Sequence, residues 1–305
     1  MNQKKIIFIV GPTASGKSNV ALELALKIKG EIVSSDAMQV YKEINIISNK
    51  PTKEDQKQVP HHLINIVSIE DKFDVVKFNK LAIEAIDKIH KKDKVPIVVG
   101  GSGLYMQILL DGIFEGGKKD EALREHFRQQ AAEKGNDYVY GLLTKEDKKA
   151  AEKIHPNDLK KVIRALEVAM VEKRPITEMQ KEREGIWRKY DISIFALDVI
   201  REKLYEKINN RVDIMIEQGA IDEVKKLRKK EINYTAAGII GIKEIQGYLD
   251  GEYDIDRLKY LMKLNTRHYA KRQLTWFRRD KRIKWIKVDN KLDAKLIAGK
   301  ILCQK

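Results

Sequence analysis

Residues 6–18, Ile6-Ile7-Phe8-Ile9-Val10-Gly11-Pro12-Thr13-Ala14-Ser15-Gly16-Lys17-Ser18, decide the fold. Ile6 to Val10 is a continuous apolar run rich in β-branched residues, the pattern of a strand buried on both faces, as in a parallel sheet. Gly11 to Gly16 turns the chain. From Lys17 onward, Val20, Leu22, Leu24, Ala25 and Ile28 recur at helical spacing, and Gly30 is expected to close that helix. The loop matches G-x-x-x-x-G-K-[ST] in full and sits where such a loop works, between a buried strand and a helix N-terminus. Its glycines let successive backbone N–H groups point inward as an anion nest, and the helix end adds positive partial charge. Lys17 supplies a point charge, and the Ser18 hydroxyl can ligate Mg²⁺. A phosphate group is the expected ligand; the motif does not say which, and ATP is only its commonest occupant.

Working outward, Glu31-Ile32-Val33-Ser34 reads as a second short strand ending in a polar turn at Ser35-Asp36. Asp74 is a plausible N-cap for an amphipathic helix to His90, with Val75, Phe78, Leu81, Ala82, Ala85, Ile86 and Ile89 on one face. Val95 to Val99 is a third buried strand, followed by Gly100-Gly101-Ser102-Gly103. Strands that lead into Gly or Ser loops and then helices predict a doubly wound α/β sheet, with ligands at the carboxyl ends of the strands, where Lys17, Asp36 and Ser102 would converge. From Lys118 to Arg188 the chain is charged and helix-prone with no convincing strand, which predicts an inserted helical domain. Ile192 to Leu197 returns to the sheet, and the helix Arg201 to Glu217 should bury Leu204, Ile208, Val212 and Met215. The expected division is 1–115, 116–190 and 191–305.

The 305 residues carry 60 Lys and Arg against 45 Asp and Glu, a net charge of +15 that makes a polyanion the first partner to consider. The bases are densest from Thr266 to Lys287, interleaved with Tyr269, Trp276, Phe277 and Trp285. The single cysteine, Cys303, excludes an intramolecular disulfide framework and a Cys-based zinc finger. The start, Met1-Asn2-Gln3-Lys4-Lys5, runs into too short an apolar stretch for a signal peptide, and no stretch reaches the roughly 18 apolar residues a membrane span needs. The cytoplasm is the default compartment.

Asp36, facing the phosphate loop from the second strand, could hold magnesium or act as a general base; a surface turn aspartate is the bland alternative. Gln39 could hydrogen-bond the edge of a base, since its amide offers donor and acceptor side by side. The glycines of 100–103 allow backbone to approach a ligand with the Ser102 hydroxyl beside it, or serve a tight structural turn. His61-His62 lacks a third ligand at metal spacing, so a packed or substrate-side pair is the better reading.

In this order the segments 11–18, Ser35 to Tyr41, His61-His62-Leu63-Ile64, Gly100 to Tyr105, Arg164-Ala165-Leu166-Glu167-Val168 and Thr266 to Arg278 resemble the tRNA dimethylallyltransferases (tRNA isopentenyltransferases) of bacterial type over nearly the whole chain. The resemblance implies a P-loop NTPase-like parallel sheet flanked by helices, with an inserted all-helical domain. It implies transfer of a dimethylallyl group from dimethylallyl diphosphate to N6 of the adenosine just 3′ of the anticodon, with release of diphosphate. The diphosphate would lie on Gly11, Thr13, Ala14, Ser15, Gly16, Lys17 and Ser18 with Arg211 and Arg164, and Mg²⁺ would attach through Ser18. Asp36, Ser102 and Lys17 would be catalytic, Asp36 accepting the N6 proton. The tRNA anticodon stem-loop would meet Asp36, Ala37, Met38, Gln39, Ser102, Arg124, Arg267, Lys271, Arg272, Trp276, Arg278 and Arg279. The enzyme would act in the cytoplasm as a monomer. Two departures stand out: Ala37 replaces a common Ser, and Lys161 replaces a common Arg, keeping charge but losing a bidentate fork.

Three rival readings are an isopentenyltransferase acting on free adenine nucleotides, a P-loop kinase acting on a small molecule, and an RNA-binding switch protein. The first does not require the basic, aromatic-rich C-terminal segment. The second needs an arginine-bearing lid and an adenine pocket, neither identifiable. The third leaves Asp36 and the second glycine loop without a job.

Overall fold

A computed structural model describes residues 3–114, 116–117, 119–288 and 293–304, so Met1, Asn2 and Lys118 of the segments named above lie outside the described residues. Six strands form one all-parallel sheet: β1 (Lys5–Val10), β2 (Glu31–Ser34), β3 (His61–His62), β4 (Pro96–Gly100), β5 (Asp191–Val199) and β6 (Ile283–Val288), in the order β3-β2-β4-β1-β5-β6. β1 is central because it is apolar on both faces; Ile9 pairs with Val99 on one side and Phe195 on the other. Each of its five fully buried apolar side chains stabilises the fold by about 1.5–3 kcal/mol. The loops after β1, β2, β4 and β5 therefore open on the same sheet edge.

The helix Lys17–Ile28 buries Val20, Leu24 and Ala25 against that sheet. It ends one residue earlier than expected: Lys29 takes the left-handed conformation (φ 53°), and the Gly30 amide bonds the Ala25 carbonyl. Gly30 serves close packing instead, since a Cβ there would lie 2.7 Å from the Val95 carbonyl oxygen. Asp74 caps Val75–His90 by accepting from the amides of Val76 and Lys77. The arginine-bearing helix Arg201–Glu217 buries Leu204, Ile208, Val212 and Met215.

Two strands escaped the periodicity reading. β3 has two residues, too few for any pattern. β6 lies inside the basic C-terminal stretch, where Lys284 and Lys287 mask the buried Ile283, Ile286 and Val288. What reads as one nucleic-acid-facing segment is thus the end of a long helix, Ile255–Phe277, followed by an edge strand.

The chain divides into two compact units, 1–110 with 187–305, and Asp111–Ile186, the latter beginning and ending a few residues before the expected limits. Within the first unit the Trp187 amide donates to the Leu110 carbonyl at 3.0 Å, which brings the exit and the return of the chain together. The second unit is helical, with Phe127, Val139, Leu143, Val162 and Leu166 in its core. Glu167, fully buried there, accepts from the Arg124 guanidinium at 2.8 Å twice, from Arg164 and from the Asp120 amide. Burial pushes its carboxyl up, and the bonds from Arg124 and Arg164 outweigh that and hold it below the usual range. Among the described residues no helix is long and apolar enough to cross a membrane.

Candidate active site

The loop after β1 curls through three left-handed residues, Gly11 (φ 139°), Ala14 (φ 61°) and Gly16 (φ 89°), and Lys17 opens the helix. The Lys17 ammonium donates to the Pro12 carbonyl at 3.2 Å, and Arg211 donates to the Thr13 hydroxyl at 2.6 Å. Burial lowers the Lys17 pKa to about 8; Asp36 pulls it up and Arg211 presses it down. Burial likewise takes Arg211 down to about 10 against the pull of Asp36. Two cations held in a poorly hydrated cleft with one facing carboxylate make a site that an anion relieves.

Asp36 follows β2 and accepts the Met38 amide at 2.9 Å in a tight turn, which leaves its other oxygen for the cleft. Gln39 beside it accepts from the Ser34 hydroxyl at 2.8 Å and donates to the Asn49 carbonyl at 3.1 Å. One N–H and one lone pair of its amide remain for a base edge. The segment beyond is anchored by Glu223, which accepts the successive amides of Asn45, Ile46 and Ile47, and by Lys50, which donates to Tyr41, Asn45 and Asn65. His61 bonds the Val59 carbonyl, while His62 bonds the buried Glu31 alongside Lys92 and Lys94, so the pair splits into a cleft residue and a packed one. Among the described residues no cluster of three His, Cys, Asp or Glu could hold a metal ion.

The glycines at the end of β4 and just after it are each closely packed against protein neighbours, and Gly100 also lines a polar cavity. A Cβ on Gly100 would lie 2.4 Å from the Ser35 carbonyl oxygen, one on Gly101 2.3 Å from the Gln273 amide, and one on Gly103 2.2 Å from the Trp276 indole. They seat the turn after β2 and the long helix against the loop. Ser102, between them, accepts the Tyr105 amide at 3.4 Å.

Two cavities meet at this edge. One, about 240 Å³, is polar and lined by Thr13, Lys17, Ser18, Asp36, Gln39, His61, Lys207 and Arg211. The other, about 210 Å³, is lined by Met38, Ile47, Ile208, Val212, Met215, Ile239, Met262 and Tyr269. Thr13, Lys17, Asp36, Ser48 and Arg211 line both, so the carboxylate and the two cations stand where a polar and an apolar space adjoin. Ser102 lines neither.

The remaining expected residues separate. Lys271 is exposed; Arg272 edges the apolar cavity with its guanidinium over the Tyr269 ring; Arg278 and Arg279 are exposed just past the long helix. Arg267 is committed to Asn209 at 3.0 Å and to the Tyr205 ring. Arg124 and Arg164 belong to the helical unit, where Glu167 holds both. Gln273 and Lys207 were not singled out by sequence reasoning, and Tyr269 was named only as one of the aromatics of the basic stretch. Lys207 had an available signal, because it precedes Arg211 by one helical turn and shares its face; Gln273 is hidden in a segment whose charge dominates its reading.

The sequence family described as IPP transferase matches residues 39–280. The tRNA dimethylallyltransferase of Acetivibrio thermocellus is 43% identical over 289 residues, covering 93% of this chain and 92% of that protein. That of Alkaliphilus oremlandii is 44% identical over 291 residues, covering 94% and 93%. Among solved structures, the tRNA isopentenylpyrophosphate transferase of Bacillus halodurans superposes with a TM-score of 0.72 at 37% identity, over 99% of this chain and 96% of that one. A eukaryotic dimethylallyltransferase acting on tRNA gives 0.80 at 31% identity, over 93% and 74%.

Proposed function

The chain belongs to the IPP transferase family, and from that premise we propose how its residues carry out dimethylallyl transfer from dimethylallyl diphosphate to tRNA. The acceptor in this reading is N6 of the adenosine just 3′ of the anticodon. The observation that carries it is the placing of Asp36, Lys17 and Arg211 on the shared wall of a polar and an apolar cavity. A prenyl diphosphate needs both environments side by side, an anion site for its diphosphate and an apolar space for its chain.

The diphosphate lies in the nest of 11–18, with Lys17 and Arg211 neutralising charge as the allylic C–O bond breaks. The apolar wall of Met38, Ile208, Val212 and Met215 takes the five-carbon chain and keeps water from the developing allylic cation. The adenine amine attacks the allylic carbon, the electron pair of the broken bond leaves with diphosphate, and the N6 proton passes to Asp36. The base must leave its stack to reach this edge, and Ala37, Met38 and the free half of the Gln39 amide meet it there. Ser102 lines neither cavity; in this reading its hydroxyl acts from the loop that follows Gly100, which does line the polar one.

Mg²⁺ is the proposed cofactor. The donor set fits: an ion that takes one protein hydroxyl, substrate oxygens and water needs no carboxylate cage, and Ser18 opens on the polar cavity. When bound, it would add charge stabilisation to the leaving diphosphate.

The anticodon stem-loop is gripped by Lys271, Arg272, Trp276, Arg278 and Arg279, whose charges and ring are exposed, one chain to one tRNA, in the cytoplasm. Arg267, Arg124 and Arg164 act in this reading as scaffold, because their guanidinium groups already have partners. Incubating the protein with labelled dimethylallyl diphosphate and unmodified tRNA, then analysing the nucleosides, tests donor, acceptor and product together; label found on free adenine nucleotides and not on tRNA would overturn the acceptor.

A further inference from the structure

Gln273 is buried on the long helix, and both ends of its side-chain amide reach the carboxyl edge of the sheet. Its Oε1 accepts the Thr13 amide at 2.8 Å, and its Nε2 donates to the Gly101 carbonyl at 2.8 Å. One side chain thus joins the loop after β1 to the loop after β4. The fit is built from the loop side as well, since only a residue without Cβ at 101 leaves room for Nε2, and the same holds at Gly103 for the Trp276 indole.

The consequences run through the two partners. Thr13 has its amide tied to Gln273 and its hydroxyl to Arg211, so two different helices hold one point of the phosphate loop. Gly101 precedes Ser102, and on its other side Gly100 lies against Ser35, next to Asp36. Removing the amide would leave a part-buried N–H and a buried carbonyl without these partners, and each loop would relax separately.

The geometry points to Gln273 as a positioning residue for the transfer reaction: it holds the phosphate loop and the Gly100–Gly103 loop in one register and so sets where the diphosphate lies relative to Asp36 and Ser102. The inference rests on the dimethylallyl-transfer reading of this site. Gln273 touches none of the reacting atoms; it acts through Thr13 and Gly101. Misplacing reacting groups by about 1 Å can lower a rate about 100-fold, which is the scale such a residue controls.

The test uses the full chain with Gln273→Met, Gln273→Ala, Gly101→Ala and the last two combined, assayed with dimethylallyl diphosphate and unmodified tRNA. Gln273→Met keeps length and volume and should lower kcat by about 10- to 100-fold while tRNA affinity stays within about twofold. Gly101→Ala should lower kcat by displacing the amide, yet add little once Gln273→Ala has removed the obstructed atom, so the two losses should be strongly non-additive. Should Gln273→Ala not fold, Gln273→Met alone decides by the same split between kcat and tRNA affinity. Binding of inorganic diphosphate, followed by calorimetry, should weaken by about tenfold in Gln273→Met whether or not the unsubstituted chain modifies tRNA. An inactive unsubstituted chain would therefore defeat the functional reading while this binding measurement still decides the clamp. Unchanged diphosphate affinity, a kcat for Gln273→Met within about twofold of the unsubstituted enzyme, or losses that simply add across the cycle would overturn the proposal.

Discussion

Arg211 donates a 2.6 Å hydrogen bond to the Thr13 hydroxyl, joining the helix after β5 to the loop after β1. The guanidinium is thereby held at the loop by a neutral partner and keeps its charge for an anion. Arg211→Ala should lower kcat/KM for dimethylallyl diphosphate by about 100-fold, on the scale of losing one oriented donor to a developing anion. Steady-state kinetics at saturating tRNA checks this; a loss below about threefold would remove Arg211 from the diphosphate site.

Lys17 carries the pH dependence. Its folded pKa, about 8, lies below the ordinary 10.5. The folded state thus binds this proton less tightly than the unfolded chain, so Lys17 diminishes stability below about pH 8 and stops doing so as pH climbs from about 8 toward 10.5. Diphosphate favours the charged form and reverses that. The gain in Tm on adding inorganic diphosphate should be larger at about pH 7 than at about pH 9. An equal gain at both would mean that Lys17 does not face the anion.

Glu167 organises the helical unit. Glu167→Ala leaves Arg124, Arg164 and the Asp120 amide without their common acceptor, and should destabilise that unit by about 3 kcal/mol in denaturant titration. A change below about 1 kcal/mol would show that the guanidinium groups find other partners or water, and would free them for RNA.

Arg278 and Arg279 are exposed past the end of the long helix. Replacing both by Ala should weaken tRNA binding and reduce the slope of log affinity against log salt by roughly 0.7–0.9 per lost phosphate contact. An unaltered slope would place the tRNA elsewhere.

What the sequence makes legible here is whatever repeats or has fixed chemistry. Ile6 to Val10 and the loop after it announce a central strand and a phosphate nest, and the heptad-like spacing of Leu204, Ile208, Val212 and Met215 announces the face that the arginine helix buries. The reading of β6 was lost because two lysines on its exposed face dominate the composition of a strand with three buried apolar residues. Glycines 100, 101 and 103 show in sequence only that space is required; that the space belongs to Ser35, Gln273 and Trp276 is a tertiary fact. The same limit applies to Arg124 and Arg267, whose charge suggests RNA in a basic chain and whose bonds to Glu167 and Asn209 need coordinates to be seen. The apolar cavity gathers residues from 13 to 273, a distribution no local pattern can display.

In the proposed reaction Asp36 takes the proton from the adenosine amine beside a diphosphate held by Lys17 and Arg211. The most direct measurement of this step is single-turnover transfer from labelled dimethylallyl diphosphate to unmodified tRNA by the unsubstituted enzyme and by Asp36→Ala, with tRNA affinity followed in parallel. The unsubstituted enzyme should form N6-(dimethylallyl)adenosine, and Asp36→Ala should do so at a rate lower by about 100-fold or more with tRNA binding nearly intact. Near-normal transfer by Asp36→Ala would contradict proton transfer to Asp36.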